Sequence, residues 1–96
     1  MGTLVQVEAI VQPEQLENFI AMCRKGFADT RSFDGCNEIS GYLCEDGKTF
    51  LAIERWDSKE HYERYLAWRT ETGVMDALGN LLEAPLKIRF FKAADV

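Results

Sequence analysis

Hydrophobic and polar residues alternate most clearly between Leu4 and Val11, where every second side chain is valine or alanine. Such alternation predicts a strand, because successive side chains of a strand point to opposite faces of its sheet. Three further segments, each bounded by turn residues, also read as strands. The four predicted strands are Leu4–Val11, Cys36–Cys44, Thr49–Trp56 and Leu86–Phe91.

Between these strands, hydrophobic residues recur at the three- and four-residue spacing of a helix. The first predicted helix starts at Pro13, a residue that suits the first helical position, and ends near Thr30 or Arg31. A second helix starts near Ser58, with Asp57 as the expected cap and Glu60 completing a capping box. It is interrupted at Gly73, and a short helix over Val74–Leu82 follows before Pro85.

The predicted order is β-α-β-β-α-β, with Asp46-Gly47 marking the hairpin between the two central strands. This is the ferredoxin-like α+β order, and the whole chain, residues 1–96, is expected to form a single domain. Right-handed crossovers place both helical regions on one face of the sheet. The other face, which should carry Leu51 and Ile53 or their neighbours, then needs a cover, so we expect a homodimer.

Composition and charge exclude several classes of function. The net charge of −5 argues against binding to nucleic acids or to acidic membrane surfaces. Three widely spaced cysteines do not suggest a disulfide framework or a metal site. We see no signal peptide and no apolar run long enough to span a membrane, so a cytoplasmic location is the expectation.

Candidate chemistry lies on the second helix, whose inward side is aromatic and partly basic rather than aliphatic. At about 100° per residue, six residues share this side: His61, Tyr62, Tyr65, Leu66, Trp68 and Arg69. Such a face can line a pocket for a flat, oxygen-bearing aromatic ligand. The alternative is that these large rings only fill the core of a small domain.

Several short motifs resemble the antibiotic biosynthesis monooxygenase superfamily of dimeric α+β barrels. They are Gly35-Cys36 at the start of a strand, Asp46-Gly47 at the hairpin, Phe50, and Glu54-x-Trp56-x-Ser58. The resemblance extends from Leu4 to Phe91. It implies a homodimer with a pocket between sheet and helices in each subunit. Several members oxidise quinols or polycyclic phenols with molecular oxygen and without metal or flavin, others degrade haem, and many have no known substrate.

The chain also departs from the pattern of this superfamily. Many members carry a histidine nine residues after the tryptophan, where this chain has Tyr65. A second histidine segment is replaced by the residues from Trp68 to Gly73, and His61 is the only histidine. These differences argue against a histidine-based mechanism and against ordinary haem ligation.

We therefore expect a monooxygenase without cofactors or metal that acts on a quinol, phenol or polyketide-type aromatic substrate. The expected catalytic residues are Arg69, which would stabilise the substrate anion, His61 as the proton acceptor, and Tyr65. The expected substrate-binding residues are Trp68, Trp56, Tyr62 and Glu54.

Each assignment has a plainer alternative. His61 could be exposed in the first turn of its helix, and Arg69 could pair with Glu71, Glu83 or a carboxylate of a partner chain. Trp56 could be purely structural. A buried Glu54 needs a partner such as Arg89, and an unpaired Glu54 or Glu8 would be a better base than His61.

Three other functions are compatible with such a pocket. The first is a dimer that binds a small aromatic ligand without turnover. The second is a haem-binding or haem-degrading protein. The third is an isomerase or decarboxylase of an aromatic polyketide.

Overall fold

The structure is a computed structural model that describes residues 2–96. Its elements follow the predicted order, with the second helical region divided in two. They are β1 (Thr3–Ile10), a 3₁₀ turn (Pro13–Gln15), α1 (Leu16–Ser32), β2 (Cys36–Leu43), β3 (Thr49–Trp56), α2 (Lys59–Glu71), α3 (Val74–Gly79) and β4 (Lys87–Phe91). The predicted α+β class and the ferredoxin-like order are confirmed.

The largest difference from the predicted boundaries is at α3, which ends at Gly79 instead of Leu82. After Gly79 the chain returns to the end of the first strand, where Leu82 forms an isolated bridge with Val11. The backbone N–H of Glu83 also donates to the carbonyl of Ile10 at 2.7 Å. Because these bonds engage the backbone with the sheet, the helical pattern of leucines cannot continue.

The cap of α2 also differs from the prediction. Ser58, not Asp57, is the N-cap, and its hydroxyl accepts a hydrogen bond from the backbone N–H of His61 at 3.1 Å. The carboxylate of Asp57 instead accepts from the side-chain amide of Asn37 at 3.0 Å. The backbone N–H of Asp57 donates to the carbonyl of Gly35 at 2.8 Å, which fixes the loop before β2 against the start of α2.

The four strands form one antiparallel sheet in the order β2-β3-β1-β4. Val5 lies opposite Glu54 and Ala9 lies opposite Phe50, so these side chains share the face that the helices cover. Arg89 lies opposite Gln6 and therefore points to the other face. The expectation that Arg89 might neutralise Glu54 is wrong, because the sheet separates the two side chains.

The second face of the sheet is uncovered. Leu51 lies opposite Glu8, and Ile53 lies opposite Gln6, which places both apolar side chains on this face as expected. Tyr42 and Phe91 belong to the same face and are 57% and 40% exposed. Across residues 2–96, no helix has the length and apolar character needed to cross a membrane.

Candidate active site

A cavity of about 80 Å³ lies between the covered face of the sheet and all three helices. We call it the main cavity. Most of its wall is aliphatic or phenyl, contributed by residues of β1, β3 and α1 such as Ala9, Ala52 and Phe19. Only three lining residues carry an oxygen-bearing side chain: Glu54, Tyr62 and Tyr65. The cavity therefore offers an apolar space in which a few polar groups converge, as is usual for small-molecule sites.

Glu54 is the carboxyl group of the main cavity, and it is only 4% exposed. Its oxygen Oε1 accepts a hydrogen bond from the indole N–H of Trp56 at 2.9 Å. Within residues 2–96, no basic nitrogen lies within 4.0 Å of it. Burial therefore raises the pKa of Glu54 from 4.5 to about 7, and the Trp56 hydrogen bond offsets only part of this rise. The carboxyl group can thus exchange a proton near neutral pH.

Trp56 holds Glu54 in position from behind the cavity. The indole is fully buried, and its ring contacts those of Tyr62 and Tyr65 at centroid distances of 5.6 and 5.0 Å. Because Trp56 does not line the main cavity, its predicted contact with a substrate is replaced by a contact with Glu54. Strand geometry explains the pair, since residues two apart on a strand point to the same side.

Tyr62 and Tyr65 are the two phenols of the cavity wall. Burial raises the pKa of Tyr62, and the nearby Glu54 carboxylate raises it further. Burial also raises the pKa of Tyr65, although its hydrogen bonds with Thr30 and Arg69 act in the opposite direction. Both phenols are therefore neutral near pH 7, and they can orient a ligand by hydrogen bonding rather than act as bases.

A second space of about 60 Å³, which we call the side chamber, adjoins the main cavity. Five residues line both spaces: Cys23, Phe27, Tyr65, Met75 and Leu78. Arg69, Thr30, Gly26, Met22 and Val74 line the side chamber alone. The predicted anion-stabilising arginine therefore lies beside the main cavity, behind Tyr65, rather than in its wall.

Arg69 connects α2 to α1. Its Nη2 donates to the carbonyl of Gly26 at 2.7 Å and to the hydroxyl of Thr30 at 3.1 Å. Its Nε donates to the hydroxyl of Tyr65 at 3.0 Å. The guanidinium also lies over the ring of Trp68 at 4.6 Å. Within the described chain, no carboxylate lies within 4.0 Å of Arg69, so the suggested ion pairs with Glu71 and Glu83 do not form.

Thr30 and Gly26 are the parts of this network that the sequence did not reveal. The Thr30 hydroxyl donates to the Gly26 carbonyl at 3.1 Å and lies 2.7 Å from the Tyr65 hydroxyl. Thr30 is fully buried, although threonine is usually exposed. In the sequence, only its position suggested that Thr30 is buried. It lies four residues after Gly26 on the inner side of the helix, which also carries the apolar Phe27.

His61 lies at the first turn of α2 and outside both cavities. Its Nδ1 is 2.7 Å from the Ser58 hydroxyl, and its Nε2 is 3.8 Å from the carboxylate of Asp34. The ring covers Gly35, whose φ of +91° would strain a residue with a side chain. These contacts place His61 in the cap of the helix and not beside the space where a substrate would bind.

Of the residues expected to be catalytic or to bind substrate, the main cavity is lined by Glu54, Tyr62 and Tyr65. It is not lined by His61, Trp68, Arg69 or Trp56. Trp68 stacks instead on Phe33 at a centroid distance of 5.4 Å. The shared inner face of α2 is nevertheless confirmed, because Tyr62 and Arg69 are buried while Glu63 and Arg64 on the opposite side are exposed.

Comparisons with known proteins agree with this architecture. The sequence profile of a family described as antibiotic biosynthesis monooxygenase matches residues 3–71. A conserved protein from Methanosarcina mazei Go1 superposes with a TM-score of 0.87 at 16% identity, over 96% of this chain and 92% of that one. The protein Rv0793 from Mycobacterium tuberculosis gives 0.79 at 22% identity, over 100% and 98%.

A monooxygenase from Streptomyces coelicolor, solved in complex with the ligand nanaomycin D, gives a TM-score of 0.83 at 20% identity. The match covers 99% of this chain and 89% of that chain. At these identities the structures establish a shared fold, while the profile match extends over more than half of the sequence. This chain belongs to the antibiotic biosynthesis monooxygenase family.

Proposed function

We propose that this protein is a monooxygenase that oxidises a quinol or a related phenol with molecular oxygen, without a metal or flavin. Family membership supports a monooxygenase in general terms. The substrate class is our inference from the main cavity, where an apolar wall surrounds one carboxyl group and two phenols. The structure of the Streptomyces coelicolor monooxygenase holds the ligand nanaomycin D, which is consistent with an aromatic ligand.

The observation that carries this proposal is the unneutralised carboxyl group of Glu54 in an apolar cavity. A carboxylate with a pKa of about 7 is a much stronger base than an ordinary glutamate. It can therefore accept the proton of a bound phenol near neutral pH. We accordingly assign the base to Glu54 rather than to His61, whose ring does not reach the main cavity.

The reaction then balances without a cofactor, because the substrate supplies all the electrons. With a hydroquinone, Glu54 takes a hydroxyl proton, and the resulting anion passes electrons to oxygen. One oxygen atom forms a new C–O bond in place of a ring C–H bond, and the other leaves as water. Hydroquinone and O₂ thus yield a hydroxyquinone and water. Arg69, behind Tyr65, favours the anion through its positive charge.

The size of the main cavity constrains the substrate. A volume of about 80 Å³ is below the roughly 300–1,000 Å³ of typical ligand sites. One part of its wall consists of Met75 and Leu78 from the short helix α3, together with Leu86. Methionine is unbranched and adaptable. A substrate larger than one small ring therefore requires these side chains to move.

We further propose that the uncovered sheet face forms a homodimer interface. The support is the apolar side chains of that face, including Leu51 and Ile53, together with exposed Tyr42 and Phe91. These side chains alternate with polar residues such as Gln6, Glu8 and Arg89, and such a mixture of apolar and polar groups is usual at protein interfaces. A dimer built on this face leaves both cavities intact, because they lie on the opposite side of the sheet.

Oxygen uptake tests the function directly. Purified protein is incubated with a panel of hydroquinones in the presence of a strong chelator, after removal of any flavin. We expect uptake above the rate of spontaneous oxidation and, with ¹⁸O₂, one labelled atom in the product. Absence of uptake with every hydroquinone, despite measurable binding, would favour a ligand-binding dimer instead.

A further inference from the structure

Arg69 is a buried cation without an anionic partner. Its side chain is only 6% exposed, and within residues 2–96 no carboxylate oxygen lies within 4.0 Å of it. Burying a charge is costly unless it is paired. The faces of Trp68 and Tyr65 offset part of this cost, but an aromatic ring carries no full negative charge.

Within residues 2–96, one nitrogen of the guanidinium has no hydrogen-bond partner. Nε and Nη2 make three hydrogen bonds to Tyr65, Gly26 and Thr30, and none involves Nη1. Every fully buried side-chain nitrogen or oxygen of the described chain has a hydrogen-bond partner. Nη1 therefore borders accessible space, and Arg69 lines the side chamber. Two N–H donors and a positive charge thus remain available for an anion.

The side chamber has room for a carboxylate. Its volume is about 60 Å³, whereas a single water needs roughly 10–15 Å³ by the same measure. The other residues that line the chamber alone supply no acidic group, so nothing repels an anion from within. Because five residues line both spaces, a ligand with its ring in the main cavity can direct a substituent towards Arg69.

We infer that the side chamber is a carboxylate subsite, and that the ligand of this protein is a hydroxylated aromatic carboxylic acid. The ring occupies the main cavity near Glu54, and the carboxylate binds Nη1 of Arg69. This inference rests on the proposed function for the position of the ring. It adds to that function a second recognition element and a narrower class of substrate.

A matched pair of ligands tests the inference without turnover. Gentisate and hydroquinone share the same hydroquinone ring, and only gentisate carries a carboxylate. Binding is measured anaerobically by calorimetry, above the pKa of the gentisate carboxyl group. We expect gentisate to bind roughly 10- to 100-fold more tightly, because a charge-assisted hydrogen bond forms in a buried site. Equal affinities for the two ligands in the wild-type protein would overturn the inference.

Two substitutions locate the source of this preference. Arg69→Gln removes the charge, so the ratio of the two affinities should fall towards one. Val74→Glu keeps Arg69 but places a carboxylate in the chamber, since Val74 lines it. The added carboxylate should occupy Nη1 and also abolish the preference, whereas Val74→Gln should keep it. A preference that survives in both Arg69→Gln and Val74→Glu would assign it to another site and refute the inference.

Thermal unfolding gives a readout that does not require any ligand. Val74→Glu should melt several degrees higher than Val74→Gln, roughly 5 °C, because the new carboxylate neutralises Arg69. In an Arg69→Gln background this difference should vanish. If neither gentisate nor hydroquinone binds, the proposed function fails, but the melting temperatures of the two Val74 variants still test the carboxylate subsite. Equal melting temperatures for Val74→Glu and Val74→Gln would then overturn the inference.

Discussion

Each face of the sheet carries an exception to the usual distribution of polar and apolar groups. The face covered by helices holds a buried carboxyl group, Glu54, beside a cavity. The uncovered face presents Leu51, Ile53 and the exposed rings of Tyr42 and Phe91. A protein selected only for the stability of a monomer would place these groups the other way round. Each exception therefore supports one of the two proposals, chemistry on the covered face and association on the uncovered face.

The structure around Glu54 compensates only weakly for the burial of its carboxyl group. Trp56 gives one hydrogen bond, and within the described residues no cation neutralises Glu54. Arg69, the buried cation of α2, is instead held by Gly26, Thr30 and Tyr65. The two buried charged groups thus remain unpaired, on either side of Tyr65. Pairing them would remove both the base and the anion-binding group.

The largest expected effect concerns the covered face. Glu54→Gln keeps the size of the side chain and an oxygen that can accept from Trp56, but it removes the base. General base catalysis contributes about 100- to 10,000-fold, so oxygen uptake with a responsive hydroquinone should fall by this factor. Steady-state rates measured between pH 6 and 8 provide the check.

Glu63→Gln is the matched control for this substitution. Glu63 is an exposed carboxylate on the outer side of α2, and it lines neither cavity. Its loss should leave the rate within a factor of about two, since surface substitutions of this kind have small effects. Wild-type rates in Glu54→Gln would show that the proton goes elsewhere and would remove Glu54 from the mechanism.

On the uncovered face, we expect the substitution Ile53→Asp to weaken the association of the dimer. A dimer related by a two-fold axis buries this position twice, so each copy loses apolar contact and gains a buried charge. Full burial of an isoleucine contributes about 1.5–3 kcal/mol, which predicts at least about 100-fold weaker association. Light scattering during size-exclusion chromatography should show the wild type as a dimer at micromolar concentration and the variant as a monomer.

Ala67→Asp adds the same charge to the exposed side of α2 and serves as the control. It should remain dimeric, because α2 lies on the other side of the sheet. Association unaffected by Ile53→Asp, or a wild-type protein that is monomeric, would contradict the assignment of this face.

The sequence was sufficient to predict most of this fold, and physical reasons explain where it was not. Alternation placed Leu51 and Ile53, or their neighbours, on the uncovered face, and the pairing of β3 with β1 decided for the first pair. The inner side of α2 was predicted correctly. The N-cap of α2 is Ser58 and not Asp57, and the two could not be told apart because these adjacent residues are similarly favoured at N-cap positions. The end of α3 depended on the bridge between Leu82 and Val11, a contact between distant parts of the chain.

The candidate site was less predictable, because helical periodicity does not show how far a side chain is from a cavity. His61, Trp68 and Trp56 share or adjoin the aromatic inner face but do not line the main cavity. Glu54 is unusual in the sequence because it is a carboxylate between Ile53 and Trp56 of a predicted strand. Whether it would be neutralised depended on packing between elements, as did the contacts of Thr30 and Gly26 with Arg69.

The smallest expected effect is the dependence of stability on pH that follows from Glu54. Its pKa is raised by folding, from 4.5 to about 7. The folded state therefore binds this proton more tightly than the unfolded state does. The stabilising contribution is fully present below about pH 4.5 and is lost as the pH rises through 7. The shift corresponds to about 3 kcal/mol in the free energy of unfolding.

Urea unfolding at pH 5, 6, 7 and 8, at one fixed protein concentration, measures this loss. Glu54→Gln cannot titrate, so the difference in stability between wild type and variant should move by up to about 3 kcal/mol in favour of the variant as the pH rises. Asp46 does not interfere, because its hydrogen bonds with Thr49 and Lys48 lower its pKa to about 2, which places its effect at more acidic pH. A constant difference from pH 5 to 8 would mean that Glu54 keeps an ordinary pKa, and the covered face would then contain a charged carboxylate but no base suited to a phenol.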